Sequence, residues 1–188
     1  MTRRIRVLRG ESPGSAARDT ALSRLLLTAV LRGDATECLR IWRPCDAFAF
    51  SALDRTRIGF EGAVRAAREA GFEPFLRLTG GHAAVYTDAT AAFAWTVPAP
   101  EPHRGIRERF DVLAELVAAS LRDLGIDAHV GPVAGEYCPG AHSVNARGRV
   151  KLMGVGRGGG RTRPRGQTYW AQLFGWARLY ARYAQHTG

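Results

Sequence analysis

Apolar positions follow two periods along the chain, and the switches between them mark its elements. Between residues 17 and 33, Ala21, Leu22, Leu25, Leu26, Ala29 and Val30 recur at the spacing of one helix face, and Gly33 closes the run. The same spacing predicts helices over 60–71, closed by Gly71, and over 106–125, the longest, stopped by Gly125. Short runs rich in β-branched and aromatic residues read as strands at 39–44, 47–53, 73–78, 82–87, 91–98, 127–133 and 149–156, with an edge strand at 3–10. Residues 98–105 read as a loop, and 134–146 as a loop passing into a strand. Arg147 and Gly148 form a two-residue turn, so the strands on either side make an antiparallel hairpin. Runs of helix and strand without strict alternation predict an α+β fold, a largely antiparallel sheet flanked by helices.

Length adds that 188 residues make one domain, with room at most for a short appendage. No apolar run is long enough to cross a bilayer, and the first residues, MTRRIRVLRGES, lack a secretory apolar stretch, so a cytoplasmic protein is expected. Cys38, Cys45 and Cys138 are scattered, with no CxxC pair or histidine at metal-ligand spacing; neither a zinc site nor a disulfide framework is expected. Cys38 and Cys45 sit among apolar positions and read as buried, inert thiols.

A net charge of +10 points toward nucleic acid until the charge is located. Six of the 27 basic residues lie from Arg157 onward with no acidic residue among them, leaving 21 basic against 17 acidic groups before. The excess belongs to a tail, 157–188, that opens Arg/Gly-rich, so a nucleic-acid partner is not expected. Residues 169–184 of it carry apolar side chains at helical spacing and suggest a segment covering the sheet or binding a partner.

Three stretches carry chemistry. In RLTGGH a glycine pair, Gly80 and Gly81, lets backbone N–H groups approach a ligand, with Arg77 three residues earlier to meet an anion; a plain hairpin turn explains the glycines equally well. In GEYCPGAH the turn after Cys138 presents its thiol on a loop, and His142 follows four residues on, a Cys/His pairing that spacing alone does not establish. In SVNARGRVKLMGVG stand Lys151, the only lysine, and Asn145, the only asparagine, of an Ala/Arg/Gly-rich chain. Arginine does not replace lysine where a compact ammonium must meet one oxygen, so Lys151 reads either as an accidental surface charge or as a functional cation.

Taken in order over residues 15–156, these motifs resemble the lipoate–protein ligase and octanoyltransferase family, whose fold is shared with the catalytic domain of biotin protein ligases. The resemblance maps a glycine-rich loop that closes over the acyl chain onto Arg77, Gly80 and Gly81, with His82 where a third glycine often stands. It maps the lysine that meets the acyl carbonyl onto Lys151, with Asn145 beside it as a substrate-binding residue. EYCPG is similar to the nucleophile loop of the cysteine-dependent octanoyl amidotransferases, implying Cys138 as the acyl-thioester residue.

The implied activity attaches an octanoyl or lipoyl group to a lysine of lipoyl-domain proteins, the E2 subunits of 2-oxoacid dehydrogenases and the glycine-cleavage H protein. Lipoate or octanoate is then substrate, with no tightly bound cofactor and no metal; ATP and Mg²⁺ enter only if the chain is a ligase working through an acyl-adenylate. After Gly156 the sequence departs from the family pattern. This leaves an inactive member with an Arg-rich binding tail as the alternative, and sets the expected division at 1–156 for the catalytic domain and 157–188 for the tail.

Overall fold

In a computed structural model the protein is described over residues 4–12, 14–98, 105–158 and 166–173. The chain order is β1 (Arg6–Glu11), α1 (Ala16–Arg32), β2 (Cys38–Arg43), β3 (Ala47–Phe50), α2 (Phe60–Glu69), β4 (Glu73–Leu76), β5 (Ala84–Tyr86), β6 (Ala91–Pro98), α3 (Ile106–Asp123), β7 (Ala128–Val130), β8 (Val144–Ala146), β9 (Val150–Gly158) and β10 (Gly166–Leu173). A seven-stranded sheet runs β1-β2-β6-β10-β9-β8-β7, and a three-stranded one β4-β3-β5. Among the described strands only β1 with β2 and β3 with β4 pair in parallel, so the expected α+β, largely antiparallel fold is what forms.

Packing of α3 on the large sheet makes the main core: Leu113, Ala114 and Ala118 of the helix meet Phe93, Trp95 and Val97 of β6, Val144 of β8 and Met153 of β9. Alanines on the helix let it lie close to the sheet, while the aromatic side chains fill the space between. A second cluster joins Ala16 of α1 to Ala47, Ala49, Ala84 and Tyr86 of the small sheet. The Glu73 carboxylate of β4 strengthens this join by accepting from the N–H groups of Ala16 (2.9 Å) and Ala17 (3.3 Å), donors that a helix start leaves without internal partners. Within the helix itself, Ser15 accepts from the Arg18 N–H, and Gly33 at φ 81° ends it in the left-handed conformation that glycine adopts without strain.

Two expectations change. The buried stripe of α1 runs through Ala16, Asp19, Ser23, Leu27 and Val30, leaving Leu22 and Leu25 outward. Arg40 of β2 causes the turn: its guanidinium is buried, pairs with the Asp19 carboxylate, donates to Ser23 Oγ at 3.0 Å and lies 4.0 Å over the Trp42 ring. A buried charge must be paired, and that requirement outweighs the leucines' preference for the interior.

The second change concerns the tail. β9 continues past residue 156, and β10 enters the sheet between β6 and β9, with Tyr169 opposite both Trp95 and Arg157. Residues 166–173 are therefore strand, and 169–173 of them lie where helical spacing suggested a helix; 159–165 and 174–188 lie outside the described residues, as does most of the expected 98–105 loop. No helix among the described residues is long and apolar enough to cross a membrane.

Candidate active site

β8 and β9 form the expected hairpin, and both central residues of its turn, Arg147 (φ 54°) and Gly148 (φ 65°), take the positive φ that a two-residue hairpin turn of this hand requires. This rigid pair carries Lys151 into the floor of a cavity of about 1050 Å³, at the top of the size range of small-molecule sites. Two loops wall it, residues 79–85 from the small sheet and 133–143 between β7 and β8, and apolar side chains of Phe48, Val85, Phe110 and Val155 line it.

Each loop is organised by its own sequence. Arg77 turns back on the glycine pair and donates to the carbonyl oxygens of Gly80 (2.6 Å) and His82. Gly81 has φ 88°, and a Cβ there would lie 3.1 Å from Arg77 Nη2 and 3.6 Å from Cys138 Sγ; glycine lets this backbone come up to the sulfur. At the base of the same loop Thr79 packs on β9 so tightly that a Cβ on Gly156 would stand 3.1 Å from the Thr79 Cβ.

The second loop is built on Glu136. Its side chain is 4% exposed. Oε1 accepts from the Gly140 N–H at 2.9 Å and from Ser143 Oγ at 3.4 Å, closing the turn that holds Cys138, Pro139 and Gly140. Oε2 faces the Lys151 ammonium at 3.5 Å, an ion-pair distance too long for a hydrogen bond. Lys151 Nζ also donates to the carbonyl oxygen of Cys138. The sole lysine thus ties strand β9 to the backbone of the cysteine, and the His82 and Tyr137 rings, 5.6 Å apart, bring the two loops together over it.

Of the residues expected at the site, Cys138, Lys151, Arg77, Gly80, Gly81 and His82 all line the one cavity. Asn145 does not: buried on β8, it donates through Nδ2 to the Gly131 oxygen (3.0 Å) and accepts at Oδ1 from the Gly148 N–H (2.8 Å), pinning the hairpin turn to the end of β7. Glu136 went unread in the sequence, although an acidic residue two positions before a candidate nucleophile, in a chain with a single lysine, was the available signal.

The three thiols separate by environment. Burial pushes the Cys38 thiol up against the opposing pull of Arg6 and Arg40. Cys45 is pushed up by burial and by the neighbouring Glu73 carboxylate. Both remain thiols at neutral pH, and only Cys138 opens on the cavity.

The model of the lipoyl protein ligase A/B catalytic domain matches residues 15–155. The chain belongs to this family. Two relatives are octanoyl-[GcvH]:protein N-octanoyltransferases. That of Geobacillus kaustophilus (strain HTA426) is 26% identical over 140 residues, 74% of this chain and 49% of that protein. That of Exiguobacterium sp. (strain ATCC BAA-1283 / AT1b) is 27% identical over 117 residues, 62% of this chain and 41% of that protein.

The chain therefore spans about half the length of these relatives or less. Among solved structures, protein Ta0514 of T. acidophilum with bound lipoic acid superposes with a TM-score of 0.71 at 22% identity, covering 92% of this chain and 68% of that one. Lipoate-protein ligase A bound with ATP gives 0.65 at 19% identity, covering 92% and 66%. The lipoyl ligase catalytic-domain fold is thus shared over nearly all of the chain.

Proposed function

We propose that the protein moves an octanoyl or lipoyl group onto a lysine of lipoyl-domain proteins through a thioester on Cys138. The carrying observation is that Lys151, Gly81 and Cys138 meet in one cavity, with the lysine bonded to the main chain of the cysteine and the glycine loop against its sulfur.

The Cys138 sulfur attacks the carbonyl carbon of the acyl donor; the S–C bond forms, the donor's C–N bond breaks, and the released amine takes up the thiol proton. The acceptor lysine then attacks the thioester, the new C–N bond forms and the sulfur leaves. Lys151 serves both steps: an ammonium has three N–H donors, and two directed at the Cys138 carbonyl and at Glu136 leave a third for the oxygen that gains charge at the acyl carbon. The apolar walls take the acyl chain, and Arg77 acts by shaping the glycine loop that covers it. Asn145 serves the hairpin that carries Lys151.

The relatives' names supply the donor class, an octanoylated glycine-cleavage H protein, and the E2 lipoyl domains are the acceptors proposed. On this route no ATP is consumed. Intact-mass analysis after incubation with octanoylated H protein is expected to give a hydroxylamine-labile adduct without ATP, absent from Cys138→Ala and retained in Cys38→Ala and Cys45→Ala. A product that requires ATP and persists in Cys138→Ala would place the chain with the ligases instead.

A further inference from the structure

Acyl transfer between amines through a thioester needs a proton acceptor, and the groups named so far do not provide one. Lys151 donates to the carbonyl oxygen of Cys138 and faces Glu136 at 3.5 Å. Glu136 is almost wholly buried and engaged by the Gly140 N–H, the Ser143 hydroxyl and Lys151.

His142 also lines the cavity, on the same loop as Cys138. Its side chain is 21% exposed, and its Nδ1 lies 3.0 Å from Oδ1 of Asp111, which reaches it from α3. The Phe110 ring, from the preceding position of that helix, stands 5.3 Å from the imidazole at a tilt of 31°. The ring N–H lies off the line to the carboxylate, so the contact is an ion-pair distance and not a formed hydrogen bond. Catalytic contacts are often poorly aligned before substrate binds. When a carboxylate accepts from Nδ1–H, the lone pair is left on Nε2, the tautomer a base requires. This carboxylate separates His142 from His82, whose ring packs on Tyr137.

We propose that His142, oriented by Asp111, is the proton acceptor for the amine that attacks the acyl thioester; this rests on the thioester reading above. As the free-base nitrogen of the acceptor lysine bonds to the acyl carbon, His142 Nε2 takes the proton that nitrogen sheds. The C–S bond breaks, and the imidazolium returns the proton to the departing Cys138 sulfur. Amide, thiol and neutral imidazole remain, and nothing is oxidised or reduced. Asp111 is a positioning residue, acting only through the ring.

The test isolates the second step. Cys138 of the full chain is loaded chemically with p-nitrophenyl octanoate, freed of donor, and mixed with a lipoyl domain, and transfer is followed in a single turnover. His142→Ala is expected to carry the adduct but discharge it roughly 10²-fold more slowly, with free imidazole restoring part of the rate. Asp111→Asn is expected to slow discharge in the wild-type background and to add nothing in His142→Ala, a non-additivity that a structural role would not give.

Should the alanine variant fail to fold, His142→Gln, which keeps a planar polar group, carries the same expectation of slow discharge. Discharge at the wild-type rate without His142 overturns the proposal. So does slow discharge that ignores imidazole and is lowered further, independently, by Asp111→Asn. Absence of any adduct on wild-type Cys138 overturns the thioester reading and this inference with it, and is distinguished by appearing before the acceptor is added.

Discussion

Lys151 contacts a carbonyl and a carboxylate of the same loop within a partly buried pocket, and that pairing suits a point charge on a flexible stem. A guanidinium is planar and broader, and spreads its charge over three nitrogens. Lys151→Arg is therefore expected to leave the thermal midpoint nearly unchanged while lowering acyl transfer roughly 10²-fold, about 2.7 kcal/mol of lost transition-state stabilisation. Transfer at the wild-type rate would return Lys151 to the status of a surface charge.

Glu136→Gln keeps an oxygen for the Gly140 N–H but removes the charge facing Lys151. It is expected to cost about 1–2 kcal/mol in chemical denaturation, from the unbalanced ammonium. The singular lysine announced itself in the sequence. Its carboxylate did not, because Glu136 looks like any loop glutamate until the turn after Cys138 folds back over it.

At the scale of elements, β6 and the β8–β9 hairpin were legible because their signals are local: a run of apolar residues with clear ends, and a two-residue turn containing glycine. The inward face of α1 was not, since Asp19 and Ser23 turn toward Arg40, a residue of another strand. β10 was misread for a similar reason. Spacing within 169–184 looks helical, whereas 166–173 becomes a strand by filling the gap between β9, the strand just before it, and β6, which lies far away in sequence.

Gly81→Ala forces a side chain into positive φ and against Arg77 and the Cys138 sulfur. It is expected to cost about 1 kcal/mol or more in stability and to slow labelling of Cys138 by a thiol reagent, with no effect on the buried Cys38.

Across the whole molecule, groups packed without charge set the alkaline limit. Burial raises the Tyr86 hydroxyl well above its ordinary value of 10.0, overriding the nearby Arg77, and Cys38 and Cys45 are raised above 9.0. As pH climbs past 9 the unfolded chain sheds these protons while the folded one keeps them, so folding stability falls with rising pH. The urea midpoint is expected to drop between about pH 9 and 11, and to drop less in Tyr86→Phe, which has no proton to lose.

The position of β10 has a consequence for the order in which the protein is made. Strands β1, β2 and β6 are synthesised long before β7, β8 and β9, yet among the described strands the two halves of the large sheet pair with each other only through β10, which emerges after all of them. Until residue 173 has left the ribosome, β6 and β9 each present an open edge, and the β6–β10 pairing, distant in sequence, is slow to form. The nascent chain thus carries the Cys138 loop and the Lys151 hairpin on one half of the sheet, and that half pairs with the other only once β10 is in place.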